Sequence, residues 1–246
     1  MKKWEQSVSE WLQQYSRFTF MTGAGMSTTS GIPDYRSKNG MYEKYENVEY
    51  LLSQTYYNRK PKEFWKTFKE LFSLAGLCNI QPNEGHYFIS YLAAKGKETA
   101  VITQNIDGLH QKAGNPNVFD MHGSYDEAFC LKCKKEYDLP YILKEDVPRC
   151  EECALILKPN VVLYGDAIRH TNQIIPVLEA TDVVMVMGSS LSVRPANEFP
   201  LFAKQHGAKL MLINLEPTPM DPYFDIVLHE DIVTVTSNME KMLQEM

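Results

Sequence analysis

Phe18-Thr19-Phe20-Met21-Thr22-Gly23-Ala24-Gly25-Met26-Ser27-Thr28 is the stretch on which the reading of this chain turns. Phe18 to Thr22 is a short apolar and β-prone run, which predicts a buried strand. It leads straight into Gly23-Ala24-Gly25, where the lack of side chains lets backbone N–H groups approach a pyrophosphate, as in nucleotide-binding α/β folds. An ordinary strand-to-helix loop has the same composition, so the glycines alone leave both readings open. A dehydrogenase fingerprint would add a third small residue where Thr28 stands and an acidic residue at the end of the second strand. That strand, Ala100 to Thr103, ends instead in Gln104-Asn105-Ile106-Asp107-Gly108, a polar cluster too rich for a simple turn. Just beyond the loop, Ser30-Gly31-Ile32-Pro33-Asp34-Tyr35-Arg36 supplies a ring and a guanidinium able to cover a cofactor.

Upstream, Trp4, Val8, Trp11 or Leu12, and Tyr15 recur at helical spacing and predict a first helix. Downstream, apolar runs at Ala100–Thr103, Asn160–Tyr164, Asp182–Met187 and Lys209–Asn214 alternate with helix-sized stretches. That alternation predicts a Rossmann-like α/β domain, a parallel sheet with helices on both faces, built from residues 1–36, 81–125 and 155–246. Residues 37–80, rich in aromatic and charged side chains without strand signals, predict a helical insertion. A helix after Val193 is expected to carry Pro195 in its first turn and Gly207 just past its end.

Between these parts, residues 126–154 turn rich in Lys, Glu and Cys and lose apolar periodicity, which marks a small module. Cys130-Leu131-Lys132-Cys133 and Cys150-Glu151-Glu152-Cys153 are two Cys-x-x-Cys knuckles with 16 residues between them, a spacing that brings four thiolates around Zn²⁺ in a zinc ribbon. A closed four-sulfur shell has no position for water, so the zinc is expected to be structural. Two disulfides or redox pairs are the competing reading, disfavoured in a reducing compartment. Cys78 is assigned no role.

Lys+Arg 25 against Asp+Glu 31 leaves a formal charge of -6, with no basic run that would form a phosphate-binding stripe. Lys132, Lys134 and Lys135 are offset by Glu136, Asp138, Glu145, Glu151 and Glu152, so no direct nucleic-acid binding is expected of the zinc module. The longest apolar runs, such as Val183 to Met187, fall far short of the roughly 20 residues of a membrane helix. The charged start Met1-Lys2-Lys3-Trp4-Glu5 lacks the apolar centre of a secretory signal, and a cytoplasmic protein is expected.

Taken in order, Gly-Ala-Gly-x-Ser-x-x-Ser-Gly-Ile-Pro-Asp-aromatic-Arg, Gln-Asn-Ile-Asp, His-Gly and the paired Cys-x-x-Cys make the chain closely resemble the sirtuin family of NAD-dependent protein deacylases. Lys158 to Asp166 and Gly188 to Ala196 are similar to later family segments, so the likeness spans nearly the whole chain. The resemblance implies that the carbonyl oxygen of an acyl-lysine attacks the anomeric carbon of the nicotinamide ribose and expels nicotinamide. A base then activates a ribose hydroxyl, and water completes release of lysine and an O-acyl-ADP-ribose. His122 would be that base, a role suited to a group titrating near neutrality; an isolated histidine is more often structural. Asn105 would help order ribose and water, Gln104 would contact the ribose, and Asp107 with Ile106 would hold the nicotinamide carboxamide. Gly23, Ala24, Thr28, Tyr35 and Arg36 would line the cofactor, with Tyr35 shielding the reactive carbon from water. Gly188, Ser189, Ser190 and Asn214 would serve it at strand ends, and Asp231 and Ile232 near the adenine.

The same resemblance implies acetylated protein or peptide substrates, paired as an added strand between Val161–Tyr164 and Ser192–Val193. Tyr35 and Tyr164 stand where the family usually has Phe, Met121 where Leu is common, and Asp166 where Glu is common; activity is expected to survive, with Tyr35 bearing on nicotinamide inhibition. Members that remove succinyl or malonyl groups carry a Tyr-x-x-Arg pair on the helical insertion. Phe64-Trp65-Lys66-Thr67-Phe68 occupies that stretch here, and Tyr56 and Arg59 fall several residues too early. Acetyl or another neutral acyl group is therefore expected. An ADP-ribosyltransferase, a desuccinylase or demalonylase on the same site, and an ordinary dehydrogenase are the alternatives.

Overall fold

The structure is a computed structural model that describes residues 3–34, 45–73, 76 and 79–245. Tyr35, Arg36 and Cys78, named above, lie outside the described residues. The first helix, α1 (Lys3–Gln14), leads into β1 (Arg17–Thr22). Among the described residues there follow the helices α2 (Val48–Leu51), α3 (Gln54–Arg59) and α4 (Pro61–Leu71), and then α5 (Glu84–Ala94), β2 (Glu98–Thr103), α6 (Leu109–Lys112) and β3 (Val118–Asp120). The middle of the chain forms β4 (Gly123–Phe129), β5 (Glu136–Asp138), α7 (Leu139–Lys144) and β6 (Lys158–Val161). The last part runs α8 (Thr171–Ala180), β7 (Val183–Met187), α9 (Phe199–Gln205), β8 (Lys209–Ile213), β9 (Ile226–Leu228) and α10 (Ile232–Glu245).

Six strands form a parallel sheet in the order β3-β2-β1-β7-β8-β9. The order reverses between β1 and β7, and the carboxyl ends of those two strands flank the crevice in which open α/β sheets hold ligands. Alternation along each strand serves two cores. Phe18, Phe20, Val183, Met185, Met187, Met211 and Ile213 pack under α1, α5 and α10 through Trp11, Phe88 and Val235. Met21, Val184, Val186, Leu210 and Leu212 pack on the other face with Leu178 of α8 and Phe199 of α9. Both faces are thus covered, which is why these strands read as continuous apolar runs.

Asn160–Tyr164, expected in the parallel sheet, belongs elsewhere. Its start lies in β6, an edge strand of a small antiparallel sheet ordered β5-β4-β6. A short apolar run states that a strand is buried and says nothing of its partner, and here Val161 and Leu163 are drawn into a third core. The helix after Val193 also starts later than expected. A 3₁₀ turn covers Ala196–Glu198 before α9, so Pro200 and not Pro195 sits in the first α-helical turn, while Gly207 ends the helix at φ +98°.

That third core joins the segments 37–80 and 126–154. Leu52, Tyr57, Phe64, Trp65 and Phe68 pack with Ala128, Cys130, Ile142, Cys150 and Leu157. The Trp65 indole donates to the Leu157 carbonyl at 2.7 Å, a bond closed to solvent. Among the described residues no helix is long and apolar enough to cross a membrane.

Candidate active site and metal centre

The loop from β1 packs so closely on the loop from β7 that side chains are excluded. Gly25 N–H donates to the Gly188 carbonyl at 2.9 Å. Gly188 adopts φ +63°, and a Cβ there would stand 2.3 Å from the Met26 nitrogen. The two loops therefore present backbone, and they form one wall of a cavity of about 740 Å³. Thr28 turns its hydroxyl back onto the Gly25 carbonyl (3.0 Å), bracing the turn.

The loop after β2 lines the same cavity and is tied to the first loop by side chains. Asn105 Nδ2 donates to the Gly23 carbonyl (3.0 Å) and to Ser27 Oγ (3.2 Å). Gln104 Nε2 donates to Ser189 Oγ (3.1 Å). The Asp107 carboxylate accepts from Ser27 Oγ (2.6 Å) and from the Leu109 N–H (3.0 Å). Desolvation still pushes this carboxyl up from its ordinary range, against those hydrogen bonds. Asp107 reaches a side cavity of about 280 Å³, which shares Ala24, Asn105 and Ile106 with the large one.

His122 lies on the large cavity just before β4, its Nδ1 2.9 Å from the Gln104 carbonyl. A carbonyl only accepts, so Nδ1 carries the hydrogen and Nε2 keeps its lone pair, the tautomer a general base needs. Burial pushes the imidazole below its ordinary value, while the bond to Gln104 pulls the other way. His122 is held from the far side as well, since its carbonyl accepts from the Val162 N–H at 2.8 Å. Gly123, at φ +76°, makes this approach possible, because a Cβ would sit 2.0 Å from the Asn160 carbonyl.

Gly23, Ala24, Thr28, Gln104, Asn105, Ile106 and His122 line this cavity, as do Gly188, Ser189, Ser190, Asn214, Asp231 and Ile232. With Asp107, every described residue expected to meet the cofactor or act in catalysis thus borders one of the two cavities, whereas Ser192, expected at the substrate edge, borders neither. Asp231 has a second task, since its Oδ1 accepts from Thr234 N (2.8 Å) and Oγ1 (2.9 Å) at the start of α10. Sequence reasoning missed Leu215 and Glu216, which line the cavity beyond Asn214, and Ser27, which joins Asn105 to Asp107. The serine lay within the quoted motif; exposed residues past a strand end carry no periodicity that would mark them.

The cavity is apolar over part of its lining. Leu52, Phe72, Val161, Leu163 and Ile168 line it, and Tyr164 is held against the insertion by Tyr164 N–H to Leu52 O (2.9 Å) and Gln54 N–H to Tyr164 O (3.0 Å). Asp166 anchors the same turn through Lys158 (2.7 Å) and Gln54 (2.9 Å). Tyr56 packs between Tyr50 and Phe64, and neither it nor Arg59 lines either cavity.

In the small module the sulfurs of Cys130, Cys133, Cys150 and Cys153 all lie within 4.8 Å of one another. A tetrahedral zinc with bonds of about 2.3 Å sets sulfurs roughly 3.8 Å apart, so the donor set fits in number, type and spacing. Both knuckles close the same way. Lys134 N–H bonds Cys130 O and Ala154 N–H bonds Cys150 O, each at 2.9 Å, with Lys134 and Ala154 at φ +64° and +59°. Tyr137 Oη donates to Cys150 Sγ at 3.3 Å, an outer bond that steadies one ligand.

Comparison with known proteins agrees with this geometry. The Sir2 family model matches residues 23–195, most of the chain. The chain belongs to the Sir2 family. It is 42% identical over 239 residues to an NAD-dependent protein deacetylase 2 of Geobacillus kaustophilus, covering 96% of this chain and 97% of that one. Among solved structures, it is 33% identical to a Sir2 variant with deacetylated p53 peptide and 3'-O-acetyl ADP ribose, with a TM-score of 0.88 over 98% of each chain. A Sir2 complex with p53 peptide and NAD+ is 32% identical, with a TM-score of 0.86 over the full length of both chains.

Proposed function

We propose that this protein is an NAD-dependent protein-lysine deacetylase, a transferase that moves an acetyl group from lysine to ADP-ribose. Acetyl-lysine, NAD and water give free lysine, nicotinamide and O-acetyl-ADP-ribose. The observation that carries the reading is His122. Its Nε2 is left unprotonated by the Gln104 carbonyl, at a cavity walled by the glycine loop on one side and by Val161 to Tyr164 on the other.

In this reading the backbone of Gly23 to Gly25 and Gly188 to Ser190 receives the pyrophosphate. Asn214, Asp231 and Ile232 border the adenosine. Asp107 and Ile106 hold the carboxamide in the side cavity, where a carboxyl raised by burial still has hydrogen-bonding partners. Asn105, whose Nδ2 is committed to the glycine loop, turns its Oδ1 to the ribose and water, and Gln104 sets the ribose and His122 together. His122 then takes the proton from the ribose hydroxyl. The peptide adds to the open edge of β6, opposite Val193. Zn²⁺ on the four cysteines keeps the second lobe folded and takes no part in the chemistry. We read residues 1–36, 81–125 and 155–246 as the cofactor domain (apart from β6, which pairs with β4), 37–80 as the helical insertion and 126–154 as the zinc module. Four free thiols paired for a metal support a reducing, cytoplasmic setting.

Mass spectrometry of an acetyl-lysine peptide with and without NAD tests the activity. Free nicotinamide and O-acetyl-ADP-ribose in step with deacetylated peptide are expected. Reduction of NAD, ADP-ribose left on the peptide, or deacetylation without NAD would each overturn it. A succinyl-lysine peptide is expected to react at least about tenfold more slowly, because its carboxylate would be desolvated against Leu52, Phe72 and Val161, while Arg194, the Lys or Arg that lines this cavity among the described residues, pairs with Glu198 at 3.3 Å. Equal rates on the two peptides would refute that preference.

The base must be neutral to act, and burial lowers the pKa of His122. Activity is therefore lost as pH falls, and the acid limb of kcat/KM is expected below the ordinary histidine value of about 6.5. A limb centred above neutrality would contradict the assignment.

A further inference from the structure

Behind the glycine loop lies a buried polar cluster to which the reaction above gives no task. His86 of α5 and His110 of α6 are 0% and 1% exposed, their ring centroids 4.8 Å apart. Asn115, Thr22 and Thr103 surround them and are buried too.

The hydrogen bonds fix one tautomer. The Asn83 backbone N–H donates to His86 Nδ1 (3.3 Å), so that ring carries its hydrogen on Nε2. Thr22 Oγ1 lies 2.9 Å from both Thr103 Oγ1 and His110 Nε2, one chain of hydrogen bonds that can run in either direction and sets whether His110 Nδ1 donates or accepts. Asn115 Nδ2 donates to the carbonyls of His86 (3.2 Å) and His110 (3.0 Å). Three atoms have no partner among the described residues: His86 Nε2, His110 Nδ1 and Asn115 Oδ1. They amount to one donor, one acceptor and, at His110 Nδ1, either. A single water satisfies both sets, since it can accept up to two hydrogen bonds and donate up to two, and buried waters typically make about three such bonds. Burial keeps both rings neutral, pushing His86 down to about 4 and His110 well below its ordinary value.

The two ends of this cluster reach the glycine-loop and β2-loop sides of the cofactor cavity. At one end Asn83 Nδ2 donates to Met26 O (2.8 Å) and Ser30 Oγ (3.0 Å), in the turns that follow the glycine loop. At the other, Thr103 Oγ1 accepts the backbone N–H of Asn105 (3.0 Å). We propose that His86, His110 and Asn115 enclose one bound water, and that the resulting relay from Asn83 to Thr103 is a positioning device that fixes Asn105 relative to the glycine loop. The positioning half rests on the role given above to Asn105; the bound water does not.

Kinetics of His110→Phe and His110→Gln test the positioning. Phenylalanine fills the space and cannot hydrogen-bond to Thr22, whereas a glutamine amide can donate to it or accept from it as His110 Nε2 does. His110→Phe is expected to lower kcat about tenfold, the equivalent of about 1.4 kcal/mol, with the peptide KM within twofold, and His110→Gln to recover most of the loss. A merely structural histidine would lower Tm and leave kcat per folded molecule unchanged. Should His110→Phe fail to fold, Thr103→Val, which removes one hydroxyl bonded to Asn105, is expected to give the same split. Wild-type kcat in Thr103→Val overturns the positioning role. A high-resolution crystal structure is expected to show one solvent peak within hydrogen-bond distance of His86 Nε2, His110 Nδ1 and Asn115 Oδ1. A site without that peak overturns the relay. The wild-type enzyme assayed beside the variants keeps the readings apart, since NAD-dependent deacetylation there leaves the activity standing whatever the variants do.

Discussion

His122→Ala is expected to lower the rate of deacetylation roughly a thousandfold, within the range that a positioned general base contributes. Neither Asp107 nor Asn105 can take over. Asp107 is held by Ser27 and Leu109 in the side cavity, and Asn105 has no titratable proton. The loss should be selective. Nicotinamide leaves before any ribose hydroxyl is deprotonated, so exchange of labelled nicotinamide into NAD in the presence of acetyl peptide is expected to continue in the variant. Product formation followed by mass spectrometry, with exchange followed in parallel, checks both halves. Deacetylation at the wild-type rate in the variant would remove His122 from the chemistry.

Removal of the metal is expected to have an effect of similar size by another route. Structural zinc sites contribute roughly 10 kcal/mol or more to folding, as much as the whole stability of many domains. Cys130 and Cys150 are buried in the core that also holds Trp65, Phe64 and Val161, so the loss would not stay within the small module. Cys150→Ala, or chelation of the wild-type protein, is therefore expected to release one equivalent of zinc, lower Tm steeply and abolish peptide turnover. Metal content, Tm and activity measured on one sample decide it. A metal-free protein with unchanged Tm and turnover would show that the four thiols need no ion.

Features fixed by neighbouring residues could be read from the sequence. The strand Phe18 to Thr22 and its glycines form one local unit, and each knuckle is a turn whose bonds span only a few residues. Pairings between distant segments were not legible in the same way. Asn160 to Tyr164 has the composition of a core strand, yet only the fold reveals that β6 pairs with β4 and leaves one edge open. Sequence likewise suggested that residues 37–80 and 126–154 were separate pieces, because what joins them, such as the bond from Lys69 to the Ile142 carbonyl, links residues 73 apart. His86 and His110 gave no sign of being neighbours, since the sequence between them crosses a helix and a strand.

The core shared by the helical insertion and the small sheet has a consequence for engineering. Leu52, Val161 and Leu163 belong to that core and also border the cavity proposed to receive the acyl chain. Selectivity and durability are therefore written into the same atoms. Trimming Leu52 to alanine to admit longer chains would carry the roughly 2–5 kcal/mol cost of hollowing out a packed interior. A laboratory lineage selected for bulkier acyl groups should thus first accumulate stabilising changes elsewhere, on the far side of the parallel sheet, before the channel itself can widen.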